Sequence, residues 1–210
     1  ARAIGRVGTA LSTSGPGGTN MVTGIMDAFM DSVPIVAMGG QVATTLIGND
    51  AFQETDMMGI TMPITKHSFQ LRDPNDAAST IIKAYKIAIS GRPGPVYIDL
   101  PKDMQNSEVT KPIPKDVDIP SYKPTINPNP LQLKKASELI MNAERPLIMA
   151  GGGVNISLAH KELFKFVETL WIPVVTTTMG KGCFPDDHPL SLGVTGMHGT
   201  EQANWSVINC

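Results

Sequence analysis

The apolar positions of this chain switch between a strand rhythm and a helix rhythm. Arg6 to Thr13 (RVGTALST) is a β-type run, followed by a glycine-rich turn, Ser14-Gly15-Pro16-Gly17-Gly18-Thr19-Asn20. Met21 to Met30 places Met21/Val22, Ile25/Met26 and Phe29/Met30 at helical spacing, and Val33 to Gly39 is too continuously apolar to be a half-exposed strand. Strand, turn, helix and strand in this order form a βαβ unit, so the two strands are expected to be parallel and buried. Asp73-Pro74-Asn75-Asp76 starts a helix that runs to about Ile89 and is expected to bury Ala78, Ile81, Ile82, Tyr85 and Ala88/Ile89. Ser90 to Pro95 ends it, and Val96 to Leu100 is the next strand.

Lys111 to Pro130 holds six of the seventeen prolines, which excludes a helix or a central strand and predicts an extended linker. A second alternating segment follows. Asn129-Pro130 opens a helix to about Ala143, with Leu133, Ala136, Leu139, Ile140 and Ala143 on its apolar side. Leu147 to Ala150 is a strand, Gly151 to Asn155 a tight turn, His160 to Leu170 a helix, and Ile172 to Thr178 a strand. The fold class is therefore α/β with parallel sheets in two domains, over 1–110 and 131–210, joined by a linker over 111–130.

Composition narrows the function. The chain has 210 residues, 41% hydrophobic and 17% charged, with a formal net charge of −2. So even a balance argues against an electrostatic nucleic-acid binder. No apolar run reaches the roughly 18–20 residues needed to span a bilayer, and no secretory signal opens the chain. Cys183 and Cys210 are too few for a disulfide framework, and no histidine pair has zinc-site spacing, so no metal site is expected within the chain. A soluble, intracellular protein is expected. The first residue is not methionine and Cys210 falls inside a helical pattern, which reads as a piece of a longer protein.

In parallel sheets ligands bind beyond the carboxyl ends of the strands, where glycines let backbone approach them. Ser14–Asn20 and Gly151–Asn155 stand in that position. Neither is a P-loop nor a full dinucleotide fingerprint, and both are also readable as plain βα turns. Gly48 to Glu54 is either a ligand-facing loop or a capped helix start. Lys102, past a strand end, could face an anion or only solvent. Arg92, between glycine and proline, could clamp a phosphate or stay exposed. Among the histidines, His67 and His198 stand out, the latter flanked by glycines.

The segments SGPGGTN (14–20), QVATTLIGNDAFQE (41–54), ITKH (64–67), SGRPGPVYIDLPKD (90–103), TTTMGKG (176–182) and GMHGT (196–200) carry a resemblance over essentially all of the chain. Together they resemble the catalytic large subunits of the acetohydroxyacid synthase, or acetolactate synthase, family of thiamine-diphosphate enzymes. SGPG and GRPGPV point only to the superfamily, whereas AFQE, PKD and MGKG with GMHG are more specific. Ala43 stands where the family usually has proline.

The resemblance implies part of a pyrimidine-binding α/β domain, then part of a Rossmann-like central FAD-binding domain. It implies condensation of two 2-keto acids with loss of carbon dioxide, pyruvate with pyruvate or with 2-ketobutyrate, in branched-chain amino-acid biosynthesis. Thr13, Pro16 and Asn20 match the pyrimidine-side pocket, Gln53 the cofactor, and Phe52 and Lys102 the substrate entrance. Ser32, Arg92, Gly153, Thr178, Met179, Gly196, Met197, His198 and Gly199 match positions near FAD. The activating glutamate is expected upstream of Ala1, so no catalytic residue is expected in this chain, and Glu54 is not that glutamate. Mg2+ is expected through a C-terminal domain absent from it, and the 210 residues alone are expected to be inactive. A homodimer or homotetramer and a regulatory small subunit are implied, with a cytoplasmic location in a prokaryote or an organellar one in a eukaryote. Pyruvate oxidase, glyoxylate carboligase, sulfoacetaldehyde acetyltransferase and a non-catalytic nucleotide-binding module are the alternatives.

Overall fold

The computed structural model describes residues 1–210, which divide into two compact units, Ala1–Asn127 and Pro128–Cys210. The first is built on a four-stranded, all-parallel sheet: β1 (Gly8–Ser12), β2 (Ile35–Gln41), β3 (His67–Gln70) and β4 (Pro95–Pro101), in the order β1-β2-β4-β3. Two short helices, α1 (Pro16–Asn20) and α2 (Val22–Met30), connect β1 to β2. After β2 come α3 (Met57–Thr61) and β3, then α4 (Ala77–Ile89), β4 and α5 (Lys102–Asn106).

Consecutive residues of the central strands feed opposite faces, as the two-residue period of a strand requires. Val36, Val96 and Ile98 pack under α4 with Ala84, Ile87 and Ala88, while Ala37 and Tyr97 pack with Ile25 and Met57 from α2 and α3. A sheet covered on both sides explains the continuous apolar stretches Ile35–Met38 of β2 and Val96–Ile98 of β4. In α4 the buried stripe is Ala84, Ile87 and Ala88. Ile81 and Ile89, expected inside, are exposed. The two alanines let the helix lie close to the sheet, and the larger residues on either side of the stripe face outward. Asp73 accepts from the Asn75 N–H at 2.9 Å, but it caps a single 3-10 turn ahead of α4 rather than α4 itself.

The proline-rich segment has no regular structure, yet over 116–122 it is docked on the first unit. Ile119 and Tyr122 pack against the α4 core, and Lys86 Nζ donates to the Val117 carbonyl at 2.6 Å. Lys66 Nζ donates to the carbonyls of Ile87 and Ser90 at the end of α4 and to the Tyr122 hydroxyl at 2.9 Å. One cation thus satisfies the last turn of a helix and fastens the strap.

The second unit has a parallel sheet of β5 (Ile148–Ala150), β6 (Val174–Thr176) and β7 (Ser191–Val194), in that order. Its helices are α6 (Pro130–Met141), α7 (Gly152–Ser157), α8 (His160–Leu170) and α9 (Glu201–Asn209). Ala150, Val167, Val174, Cys183 and Phe184 form its core. The triple-glycine segment is the first turn of α7 rather than an open turn. α6 buries none of its residues, so its apolar stripe does not face this core.

Candidate functional site

In the first unit three parallel strands end side by side at Ser12, Gln41 and Pro101. A cavity of about 480 Å³ opens there, lined by Leu11, Thr13, Gln41, Lys102 and Gln105 among others. Thr13 and Lys102 therefore meet in one hollow. Pro16, Asn20, Phe52 and Gln53 do not line it and are exposed. Pro16 is the first residue of α1 and Asn20 its last.

The SGPG turn and the AFQE loop touch through backbone. Gly15 has φ 57° and ψ −112°, a combination open to glycine. A Cβ placed on it would lie 2.8 Å from the Gln53 carbonyl oxygen, so no larger residue fits between the two segments. Gly48 to Glu54 is a loop, not a helix start; the next helix, α3, is capped by Asp56, which accepts from the Gly59 N–H at 2.9 Å. Within the loop the Glu54 carboxylate accepts from the N–H groups of Gly48 and of Ala51, the latter at 2.9 Å. These bonds to the charged form hold the Glu54 carboxyl below the usual carboxylate range. Phe52 is 89% exposed at the tip of this loop.

Two further ties fix the rim. Asp103 accepts from the Thr44 N–H at 3.0 Å and from the Thr44 hydroxyl at 2.5 Å, which joins α5, begun by Lys102, to the segment after β2. The same bonds keep the Asp103 carboxyl low. Ala43 has φ −55°, close to the value a proline ring imposes, so alanine preserves this bend. Gln41, buried, donates to the Thr55 carbonyl at 2.8 Å and accepts from the Val42 N–H at 2.9 Å. Beside it, Asp99 is fully buried and accepts from Gln70 at 3.0 Å, while its Oδ1 and the Tyr97 hydroxyl have no partner. Burial pushes the Asp99 carboxyl up, and the charge of Asp56 adds to the shift.

Ser32 and Arg92 are brought together, but elsewhere. Arg92 Nε donates to Ser32 Oγ at 2.7 Å and Nη2 to the Met30 carbonyl at 3.0 Å. Both residues precede their strands, so they sit at the amino edge of the sheet. The strand length, about 20 Å at ~3.3 Å per residue, separates them from the hollow. Arg92 uses two donors to cap α2 and Ser32, leaving the remainder of an exposed guanidinium free. His67, at the start of β3, packs edge-on against Phe69 at 4.3 Å.

In the second unit Gly153 stands in the first turn of α7, after β5, Thr178 and Met179 follow β6, and Gly196 to Gly199 follow β7. Gly153, Thr178, Met179, Gly196, Met197 and His198 are exposed. A Cβ on Gly180 would lie 2.2 Å from the Ala150 carbonyl, so the loop after β6 crosses the end of β5 closely. Two asparagines hold the loops. Asn155 donates to the carbonyls of Met179 at 2.9 Å and Lys181 at 3.2 Å. Its oxygen then faces His160 Nε2 at 3.0 Å, which assigns the proton to that nitrogen. Asn204 accepts from the Gly196 N–H at 2.9 Å and donates to the Gly196 carbonyl at 3.0 Å. The supporting roles of Gln41, Asp99, His160 and Asn204 carry no local sequence signal, because their partners lie on other elements or loops.

Residues 1–60 match the family model described as the N-terminal TPP binding domain of thiamine pyrophosphate enzymes. Residues 133–210 match the central domain of the same enzymes. The chain belongs to the thiamine pyrophosphate enzyme family. The first match covers β1 and β2, the second covers β5, β6 and β7, and the strand-end hollow lies in the unit that contains the match to the TPP binding domain. Among relatives, the chain is 58% identical to the probable acetolactate synthase large subunit of Methanocaldococcus jannaschii, over 100% of this chain and 36% of that protein. It is 51% identical to the acetolactate synthase large subunit of Corynebacterium glutamicum, over 97% of the chain and 32% of the relative. It is 48% identical to the acetolactate synthase isozyme 3 large subunit of Escherichia coli, over 100% of the chain and 37% of the relative. The chain thus spans about a third of the length of the curated relatives it matches.

Proposed function

We propose that this chain is part of an acetolactate synthase catalytic subunit, which condenses pyruvate with pyruvate or with 2-ketobutyrate and releases carbon dioxide. The observation that carries the reading is the meeting of Thr13 and Lys102 in one strand-end hollow, beside the Gly15–Gln53 contact. Thiamine diphosphate, when bound, supplies the electron sink for the carbanion left by decarboxylation. Thr13, on the lining of the hollow, is suited to its pyrimidine half. Thr13, Pro16 and Asn20 belong to the turn and the short helix α1, and Gln53 stands on the loop that the Gly15 turn abuts. Lys102 places a cation on the hollow, where a keto-acid carboxylate is favoured. Phe52 offers an apolar surface at the entrance.

FAD is read as a second, structural group, since the net reaction transfers no electrons. Gly153, Thr178, Met179, Gly196, Met197, His198 and Gly199 would hold it in the second unit. The buried, unpartnered Thr176 hydroxyl at the tip of β6 and the open space beside Gly153 and Gly196 support a ligand at that edge. Mg2+ and the activating glutamate are assigned to parts of the relatives outside the matched third. A homodimer or homotetramer, with a regulatory small subunit, completes the reading. No helix is long and apolar enough to cross a membrane.

The test is product formation by the full-length protein with thiamine diphosphate, Mg2+ and FAD. Acetolactate from pyruvate, and 2-aceto-2-hydroxybutyrate when 2-ketobutyrate is added, are expected. The 210-residue chain alone is expected to give neither. Failure of the full-length protein to form acetolactate overturns the assignment, as does turnover by the 210-residue chain for the claim of inactivity.

A further inference from the structure

The geometry points to Glu54 as a positioning residue that sets Phe52 and Gln53 on the loop that abuts the Gly15 turn, next to Ser14 of the hollow's lining. The inference rests on the functional reading above and adds a residue to it. The loop from Gly48 to Glu54 contains two non-glycine residues in the left-handed region, Asp50 at φ 53° and Gln53 at φ 59°. Such backbone persists only where surrounding contacts over-determine it. The loop buries too little apolar surface to supply them: Phe52 points outward, and Gly48, Asn49, Asp50 and Gln53 are all exposed.

Hydrogen bonds to Glu54 take that role. One carboxylate oxygen accepts from the Gly48 N–H, the other from the Ala51 N–H at 2.9 Å, and the Glu54 N–H returns to the Ala51 carbonyl at 2.9 Å. Both oxygens are engaged, and the bonds span the loop from its first residue to its last. Phe52 and Gln53 are the two residues enclosed between Ala51 and Glu54, so their backbone has no freedom that the clamp does not limit. Downstream, Gln41 fixes the Thr55 carbonyl, and Thr55 Oγ1 donates back to the Glu54 carbonyl at 2.8 Å. On the other side the Gly15 turn abuts the Gln53 backbone. The Glu54 side chain itself does not line the hollow, so it acts through its neighbours and not on the substrate.

Glu54→Ala and Glu54→Gln in the full-length protein test this. Glutamine keeps one acceptor oxygen and can hold one of the two N–H groups. In Glu54→Ala, hydrogen exchange at the Gly48 and Ala51 amides should quicken by about tenfold or more. Thiamine diphosphate affinity by calorimetry should weaken several-fold, and kcat/KM for pyruvate should fall at least about tenfold. The melting temperature should stay within a degree or two of wild type, and Glu54→Gln should recover part of each loss. Unchanged exchange at these amides overturns the inference, as does faster exchange with wild-type cofactor affinity and kinetics. A global fall in melting temperature in both variants, with loop exchange no faster than elsewhere, also overturns it. A wild-type protein that makes no acetolactate refutes the functional reading alone, since exchange and cofactor titration need no turnover.

Discussion

Gly15→Ala probes the turn on which the two halves of the candidate site rest. The backbone there is at φ 57° and ψ −112°, and a methyl group would sit 2.8 Å from the Gln53 carbonyl oxygen and 3.0 Å from its Cβ. The nearer atom is backbone and cannot swing aside as a side chain would. Forcing a residue with a Cβ into such a conformation costs about 1–3 kcal/mol, and the overpacking adds about 1–3 kcal/mol. Together they remove about 2–6 kcal/mol from a domain whose net stability is of order 5–15 kcal/mol. At a urea m-value of about 2 kcal/mol/M, the midpoint should drop by about 1–3 M. Gly24→Ala is the matched control. Gly24 lies in α2 at an ordinary helical φ, and a methyl group added there would meet nothing within 4 Å. Alanine at this position should therefore stabilise by up to about 1 kcal/mol.

Urea unfolding followed by circular dichroism reads both changes. Trp171 and Trp205, the only tryptophans, lie in the second unit, so their fluorescence should not follow the early transition of Gly15→Ala. A Gly15→Ala midpoint equal to wild type, or no lower than that of Gly24→Ala, refutes the reasoning.

Two other outcomes follow from buried and half-buried charges. The Asp99 pKa is raised in the folded state above the unfolded value of about 3.9, so the native state binds more protons between those values and stability falls as pH rises through that window. Asp99→Asn should remove this slope, which urea midpoints measured from pH 4 to 7 on both proteins will show; parallel curves would contradict it. Lys66→Met removes the donor that joins the end of α4 to Tyr122. Protease cleavage within residues 111–127 should then quicken several-fold, and an unchanged cleavage rate would show that Ile119 and Tyr122 hold the strap by packing alone.

Much of the fold can be read from local pattern, and the exceptions share a cause. β2 and β4 announce themselves because strands covered on both faces carry continuous apolar stretches, Ile35–Met38 and Val96–Ile98. α8 matches its sequence reading from His160 to Leu170. β3 (HSFQ), α3 (MMGIT) and β7 (SLGV) are four or five residues long with mixed polarity, too short to establish a period. In α4 apolar residues occupy more than one face, so the side that turns inward is decided by how closely Ala84 and Ala88 approach the sheet. The strand-end loops are visible as glycine-rich breaks after apolar runs. That Ser32 and Arg92 meet at the opposite edge is not, because their contact joins positions sixty residues apart.

The unforeseen residues share one physical task. Glu54 serves Gly48 and Ala51, Asp103 serves Thr44 twice, Asn155 serves Met179 and Lys181, and Asn204 serves both backbone groups of Gly196. In each case one side chain makes at least two hydrogen bonds, so a short loop is fixed without burying apolar surface. That is the requirement of a site whose working residues must stay open to a ligand: Phe52, Lys102 and Met197 stay exposed because their loops are held by polar clamps and not by packing. Hydrophobic burial in the two sheets then sets global stability, and the clamps set local geometry. Substitutions at the clamps should therefore change ligand affinity and turnover with little effect on melting temperature, whereas truncations at Val36, Val96 or Val174 should do the reverse.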